Sequence, residues 1–407
     1  KSGVMPDPRG AAYLNLDGTK AIVSISGDGV AFEGFVIQNV AGDGIAIGGN
    51  NVTVRGNEVF FTYAMGITSN PTSGAGITGL LIENNVVRYA SIMIFDPNRK
   101  QYYPGGDKQV VVGSIKVGNN GAGAVIRNNE VAYGFGEGIN IGKYNYATAA
   151  NPFIVEGNFV HDCNHTGIYV NGSYHVIIRN NTVCSTNVEL NLWDGDAPVG
   201  IKLFDEKKTL IRNITVYNNL VVNMGIAATW GGRYTASTGV YFGYNTFVGG
   251  PQADAKGRPG IIIDRQSTND KDETAPQKGV YENNILDYSM SNAAVIKMNG
   301  DTGANGVGFR NNAWSSNPPA SVKTSSDVVG ALKLVKSDAA LSTSNYLSKS
   351  NTTAASLTVS NNFNVNNYRL LAASPAIGAG SSHNNFNGIT PPTVTCPAAQ
   401  TLVLGAN

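Results

Sequence analysis

Five side chains in the sequence have the chemical types that an elimination next to a carboxylate requires. We predict catalytic roles for Lys202, Tyr169, Lys116, His165 and Glu137. Such an elimination needs a cation to neutralise the carboxylate, a base for the proton on the adjacent carbon, and an acid for the leaving oxygen. A lysine with the tyrosine could supply base and acid, assisted by the histidine. The structural alternative is that the lysines are solvated and the tyrosine only stacks on a neighbour.

A second set of side chains has the types that bind a sugar chain or a cation. We predict substrate-binding roles for Asn140, Tyr144, Trp193 and Arg265, because aromatic rings stack on sugars and guanidinium groups pair with carboxylates. Asp194, Asp196, Asp205 and Glu206 offer the oxygen ligands that Ca²⁺ prefers, and a plain acidic turn is the alternative. No other cofactor is expected.

The elements that must position these residues come from a repeat of one strand followed by a polar corner. An apolar-x-x-Asn unit recurs as VTVRGNEV, LLIENNVV, AVIRNNEV, FIVEGNFV, VIIRNNTV, ITVYNNLV, YFGYNTFV, GVYENNIL and VGFRNNAW. Its asparagines are Asn57, Asn85, Asn129, Asn158, Asn181, Asn219, Asn245, Asn284 and Asn312. Alternating apolar residues indicate strands, and a buried amide at the same corner of every coil can bond the amides on either side. We therefore predict an asparagine ladder.

A second strand in most coils begins with Gly-Ile, and its outward residues place the candidate catalytic side chains in one row. In Gly-Ile-x-Ile the residue x points outward when the isoleucines point inward. The successive outward residues are Ala46, Thr68, Lys116, Asn140, Tyr169, Lys202, Ala227 and Ile262. Insertions at residues 95–110, 186–199 and 250–259 precede this strand in their coils, so we predict a cleft along its outer face.

Composition excludes several classes of protein. The formal net charge is +1, so no nucleic-acid partner is expected. No run of about 18 apolar residues occurs, so no membrane insertion is expected. Three cysteines are too few for a disulfide scaffold. Cys163 and Cys184 fall in successive coils, where two buried thiols and one disulfide are both open.

The coils between about residues 21 and 314 resemble those of the right-handed β-helix proteins of the pectate-lyase-like group. This resemblance implies an all-β, right-handed parallel β-helix of about ten to twelve coils. We place this domain at residues 1–385, and we expect it to lack the usual N-terminal cap and to have an irregular closing region at 315–385. The group contains lyases, hydrolases, epimerases and non-catalytic proteins, and its known catalytic motifs are absent here, so no catalytic residue is carried over.

The tail PPTVTCPAAQTLVLGAN resembles the first strand of the HYR-type immunoglobulin-like modules of large secreted bacterial proteins. We assign residues 386–407 to a linker and the start of such a module. In that pattern Cys396 would pair with a cysteine beyond Asn407. The resemblance implies a secreted or cell-surface bacterial protein with further domains in a longer chain.

These observations lead to one functional prediction and two alternatives. We predict a polysaccharide lyase that cleaves a uronic-acid polymer by β-elimination, with the polysaccharide as partner. A non-catalytic glycan-binding module, adhesin or stalk is the first alternative. A glycoside hydrolase is the second, and it is weakened because no pair of carboxylates stands out on the predicted cleft floor.

Overall fold

The computed structural model describes most of the repeat region. It covers residues 21–69, 76–91, 113–118, 122–142, 147–163, 165–185, 198–205, 211–232, 238–250, 259–265, 278–289, 291, 293–298, 306–334 and 368–380. Side chains of residues 205, 232, 264 and 265 are outside this description.

The described strands form three parallel sheets that the chain visits in turn. The first sheet contains β1 (Val23–Ile25), β4 (Ile45–Ile47), β7 (Ile67–Ser69), β10 (Gly113–Val117), β13 (Glu137–Ile141), β16 (Thr166–Asn171), β19 (Val199–Asp205), β22 (Ile226–Gly232), β25 (Ile261–Arg265) and β28 (Ile296–Met298). The second contains β2 (Ala31–Glu33), β5 (Thr53–Arg55), β8 (Leu81–Glu83), β11 (Val125–Arg127), β14 (Phe153–Glu156), β17 (Tyr174–Arg179), β20 (Arg212–Tyr217), β23 (Thr238–Gly243), β26 (Gly279–Glu282) and β29 (Val307–Arg310). The third contains β3 (Val36–Val40), β6 (Glu58–Thr62), β9 (Val86–Arg88), β12 (Glu130–Ala132), β15 (Phe159–His161), β18 (Thr182–Cys184), β21 (Leu220–Val222), β24 (Thr246–Val248), β27 (Ile285–Asp287), β30 (Ala313–Trp314) and β31 (Val328–Val329).

Each strand pairs with the equivalent strand one coil away, which confirms the predicted β-helix solenoid. Its core consists of inward-facing residues stacked in columns. One column runs through Ile45, Ile67, Ile115, Ile139 and Ile168, all fully buried. Burying such a side chain contributes about 1.5–3 kcal/mol, so the stacked columns supply most of the stabilisation.

The predicted asparagine ladder is confirmed along its whole length. The side-chain NH₂ of each ladder asparagine donates to the Oδ1 of the next, at 3.0 Å, from Asn57 through Asn312. The same Oδ1 also accepts the backbone N–H of the preceding ladder asparagine. The ladder ends at Asp327, whose Oδ1 accepts the N–H of Asn312. Buried amides are therefore satisfied by the coils on either side.

The left-handed residue at this corner is the one before the ladder asparagine. Positive φ values occur at Gly56, Asn84, Asn128, Gly157, Asn180, Asn218, Tyr244, Asn283 and Asn311. This explains the Asn-Asn and Gly-Asn doublets of the repeat. The first residue supplies the left-handed turn, which glycine and asparagine tolerate best, and the second supplies the amide.

A second ladder, made of alternating charges, follows the outer face of the second sheet and was missed at the sequence level. One residue from each coil contributes to it, in the order Glu33, Arg55, Glu83, Arg127, Glu156, Arg179, Tyr217, Gly243, Glu282 and Arg310. Arg127 Nη2 lies 2.7 Å from Glu83 Oε2, and Arg179 Nε donates to Glu156 Oε2 at 2.6 Å. In the sequence, the residues of this charge ladder from Arg55 onward stand two positions before each ladder asparagine, so the alternation of charge could have been found there.

The two uncharged positions of this charge ladder are filled by tyrosines. Tyr217 Oη accepts a hydrogen bond from Arg179 Nη1 at 3.0 Å. Tyr241 leans over the glycine of its own strand, and a side chain on Gly243 would collide with the Tyr241 ring. The Tyr241 hydroxyl donates to Glu282 Oε1 at 3.0 Å, so it links the interrupted ladder to its last ion pair, between Glu282 and Arg310.

Truncation of a central ladder asparagine tests the first ladder. Asn181→Ala removes the side-chain oxygen that accepts hydrogen bonds from the backbone N–H and the side-chain NH₂ of Asn158. It also removes the NH₂ group that donates to Asn219 Oδ1 and to the Val155 carbonyl. We expect the free energy of unfolding to fall by about 3 kcal/mol, because buried polar groups lose their partners. Asn151→Ala, in an exposed turn, is the matched control and should change it by less than about 0.5 kcal/mol. Equal urea midpoints for the two variants would count against the ladder.

Charge reversal tests the second ladder. Arg127→Glu places a carboxylate between Glu83 and Glu156, so we expect a loss of about 1 kcal/mol in low salt. The loss should shrink in high salt, since exposed charges are screened. Thermal denaturation at two ionic strengths measures it, with Lys323→Glu on an exposed turn as control. A salt-independent effect would contradict the electrostatic interpretation.

Candidate functional site

The structure places the four central residues of the predicted row on consecutive strands of the first sheet. Lys116 pairs with Asn140, Asn140 with Tyr169, and Tyr169 with Lys202. Thr68 precedes Lys116 in the same row. Neighbouring rungs of a sheet lie about 4.8 Å apart, so Lys116 and Lys202 are separated by roughly 14 Å along the solenoid.

One member of the predicted row is wrong. Lys202 pairs with Thr229, so Thr229 occupies the row and Ala227 does not. The reason is that Ala227 takes the place that glycine has in most of the preceding coils. A side chain on Gly200 would lie 2.5 Å from Val221 Cγ1 and 2.5 Å from the carbonyl oxygen of Ala227, and this tight approach sets the glycine position. The Gly-Ile sequence of this coil begins at Gly225, two residues before that position, so the predicted register is shifted by two residues.

The outward residues of the row are not equally exposed to solvent, which corrects the expectation that all of them line an open cleft. Lys116 and Lys202 are partly exposed, whereas Asn140 is 5% and Tyr169 3% exposed. The Lys202 ammonium lies 4.9 Å from the ring centroid of Tyr169 and 5.0 Å from that of Phe204. A cation above two aromatic rings is held by their negative faces. Among these four central residues, the accessible groups are therefore the two lysines.

Glu137 and His165 lie beside the row, at the corner where the chain enters the first sheet. Glu137 is buried and its carboxylate accepts a hydrogen bond from the Asn140 side-chain NH₂. The Oδ1 of Asn140 is buried and has no hydrogen-bond partner among the residues that the structure describes. His165 Nδ1 lies 3.9 Å from Glu137 Oε1 and 3.1 Å from Thr166 Oγ1. Three of the five predicted catalytic residues, Glu137, His165 and Tyr169, therefore occupy adjacent coils.

His165 is neutral at neutral pH. Burial, together with the positive charge of Lys202, lowers its pKa to about 3. A neutral imidazole has a free lone pair and can accept a proton. The low pKa makes it a weak base unless another charge offsets that of Lys202.

Asp43 is a further acidic group on this face that the sequence reasoning missed. Its Oδ1 accepts the backbone N–H of Met65 at 2.8 Å. Burial raises the pKa of Asp43, and the Met65 hydrogen bond and the charge of Lys116 partly offset this rise. Asp43 and Glu137 hold the same place in their coils, two residues before the first inward isoleucine. The shared Asp/Glu-Gly-Ile sequence would have revealed the pair.

Several predicted site residues cannot be placed. Tyr144, Trp193, Asp194, Asp196 and Glu206 lie outside the described residues, as do the side chains of Asp205 and Arg265. The calcium site and most of the substrate-binding set therefore remain predictions. Within the described ranges, no group of three or more His, Cys, Asp or Glu side chains is arranged to hold a metal ion.

The two described cysteines are free thiols. Cys163 and Cys184 are both buried and are not bonded to each other. Of the two alternatives left open by the sequence, the structure has the thiols.

Comparison with known proteins finds one family. The family model described as "Right handed beta helix region" matches residues 17–198 and 113–250 of the chain, which together cover more than half of its 407 residues. No curated protein matches. In the part of the chain that the structure describes, no helix is long and apolar enough to cross a membrane.

The lowered pKa of His165 predicts a pH dependence of stability. Between its ordinary pKa of 6.5 and its folded pKa of about 3, the unfolded chain binds a proton at this residue that the folded chain rejects. Stability should therefore fall as the pH drops through this window, and His165→Gln should remove that part of the fall. Thermal midpoints between pH 7 and pH 4 measure the difference. His175→Gln is the control: burial and the charge of Arg212 lower the pKa of His175 as well, but less than that of His165, so this variant should remove a smaller part of the fall. Identical slopes for wild type and His165→Gln would contradict the buried neutral imidazole.

Proposed function

This chain belongs to the right-handed β-helix family, and from that premise we propose that it is a polysaccharide lyase that cleaves a uronic-acid polymer by β-elimination. The family alone does not define a reaction, because a fold is compatible with many activities. The observation that carries the proposal is the row of Lys116, Asn140, Tyr169 and Lys202 on four successive rungs, with Glu137 and His165 at its side.

The two lysines support a polyanionic substrate. Both are partly exposed, both point to the same face, and they are separated by three rungs. Two carboxylates of one polymer chain running along the solenoid could each meet one ammonium group. The aromatic rings below Lys202 hold its charge in place, which favours a preorganised contact.

The roles in the reaction follow from these charges. Lys202 neutralises the carboxylate of the reacting sugar, which makes the adjacent C–H bond more acidic. A base takes that proton, the electron pair forms a carbon–carbon double bond, the bond to the glycosidic oxygen breaks, and an acid protonates this oxygen. His165 is the proposed base, because the bound carboxylate would offset the charge of Lys202 that keeps its pKa low. Tyr169 is the proposed acid.

A binding function without catalysis is the second candidate, and one observation favours it. Tyr169 is only 3% exposed and its hydroxyl is buried, so substrate can reach it only if the site opens. The two lysines would bind the polymer without such a change. Hydrolysis is less well supported, since Asp43 and Glu137 are three rungs or roughly 14 Å apart, beyond the about 5–9.5 Å that paired glycosidase carboxylates span.

The setting of the protein is also part of the proposal. From the resemblance of residues 391–407 to a module of secreted bacterial proteins, we propose that the chain acts outside a bacterial cell and belongs to a longer polypeptide.

A panel of uronic-acid polymers, incubated with the protein and Ca²⁺, tests the lyase proposal through the ultraviolet absorbance of unsaturated sugar ends. We expect product from at least one polymer. Lys202→Met should lower the rate about a hundredfold or more, because it removes the charge that stabilises the carbanion. Lys297→Met is the matched control, since Lys297 lies in the same row two rungs beyond Thr229, and it should keep nearly full activity.

Affinity electrophoresis in gels containing the same polymers separates the two candidate functions. Retardation of wild type but not of Lys202→Met, without any unsaturated product, would support binding alone. Absence of both product and retardation on every polymer would refute the proposed function.

A further inference from the structure

A cluster of three buried charged side chains and one half-buried arginine lies on the outer face of the third sheet. Arg88 Nε donates to Glu130 Oε1 at 2.7 Å, and Arg88 Nη2 lies 2.6 Å from the same oxygen. His161 Nδ1 lies 2.8 Å from Asp162 Oδ2, and its Nε2 lies 3.5 Å from Glu130 Oε1, which is longer than an ordinary hydrogen bond. Two carboxylates thus face one guanidinium and one imidazole, and the charges balance when the imidazole is protonated.

Titratable groups from the neighbouring coils surround His161. The Tyr133 ring meets the imidazole edge-on at 5.2 Å, and Tyr89 stacks on Tyr133 at 5.0 Å. Cys184 lies beside His161 in the next coil, and Cys163 Sγ is 3.7 Å from the His161 carbonyl oxygen. The imidazole itself is 1% exposed. The imidazole is therefore closely packed and shielded from solvent.

His161 is the member of this cluster that loses its proton first as the pH rises. Burial alone would lower its pKa, but the contacts with Asp162 and Glu130 outweigh burial and raise it to about 9. Burial also raises the pKa of Tyr89, Tyr133, Cys163 and Cys184, each above its ordinary value. Loss of the His161 proton leaves buried carboxylate charge without its partner, which is strongly unfavourable.

The cluster holds together the two corners that lead from the third sheet into the candidate site. Tyr133 and Asp162, both with φ of 54°, begin these corners. The N–H of Tyr133 donates to the His161 carbonyl at 3.3 Å, and the N–H of His165 donates to the Gly136 carbonyl at 3.2 Å. The first corner runs directly into Glu137 and the second into His165.

We propose that the Arg88, Glu130, His161 and Asp162 cluster is a latch that keeps these two corners closed while His161 is protonated and releases them when the proton is lost. The latch is independent of the proposed lyase activity, because it concerns the opening of the corners and not the reaction. Its open form exposes Cys163 and Cys184, which are buried in the closed form.

The two thiols report the opening directly. In a Cys396→Ser background, the rate of reaction with a disulfide reagent is measured across pH 6 to 10 and divided by the rate for the urea-unfolded protein at each pH. The open form has the ordinary histidine pKa of 6.5 and the closed form that of about 9, so the closed form binds the extra proton between them. The corrected rate should rise up to about tenfold per pH unit in this window and then level off.

Three variants sharpen the test. His161→Gln lacks the titrating group, so its corrected rate should be high at neutral pH and independent of pH. Asp162→Asn keeps a residue type that tolerates the left-handed backbone but loses one carboxylate, so the rise should level off at a lower pH. His175→Gln, on the second sheet, should follow wild type.

Two results would overturn the latch. One is a corrected rate in wild type that stays flat from pH 6.5 to 9, and the other is a His161→Gln profile that follows wild type. Should His161→Gln fail to fold, the Asp162→Asn profile decides. If the corrected rate of Asp162→Asn levels off at the same pH as that of wild type, the proposal is refuted.

Discussion

The structure depends on one constraint, which is that equivalent corners of successive coils lie directly over one another. The asparagine ladder enforces it, because each amide finds its partners only in the coils on either side. A coil out of register would leave buried donors and acceptors unpaired, at a cost of about 1–3 kcal/mol for each group. The candidate site follows from the same constraint, since residues as far apart in sequence as Lys116 and Lys202 lie in one row of side chains.

The fold could be predicted from the sequence because its signals are periodic and local. The alternating apolar residues and the recurring asparagines identify strands and corners without knowledge of distant contacts. The row of the first sheet was predicted for the same reason, and it failed only where Ala227 replaced glycine and shifted the apparent register by two residues. The burial of Asn140 and Tyr169 could not be predicted, because it depends on what lies over the sheet and not on its own pattern.

Residues of the same type have different surroundings on different faces of the solenoid. His165 is neutral beside the lysine row, whereas His161, four residues earlier, is charged among carboxylates. The sequence places both at one turn and cannot distinguish them, since the partners that determine their protonation come from other coils. Glu137 and Glu130 also have different partners, since the carboxylate of Glu137 accepts a hydrogen bond from an amide and that of Glu130 accepts one from an arginine. The protonation state of each histidine therefore depends on charged residues in the neighbouring coils.

The alternating charges on the second sheet constrain how such a solenoid can change its length during evolution. Deleting a single coil between Arg127 and Arg179 would bring two arginines together, and duplicating one would bring two identical charges together. Gain or loss of coils in pairs keeps opposite charges adjacent. The exception is the uncharged stretch at Tyr217 and Gly243, where one coil can be added or lost without placing like charges in contact. Among related chains, the number of coils should therefore vary either at the coils of Tyr217 and Gly243 or by two coils at a time.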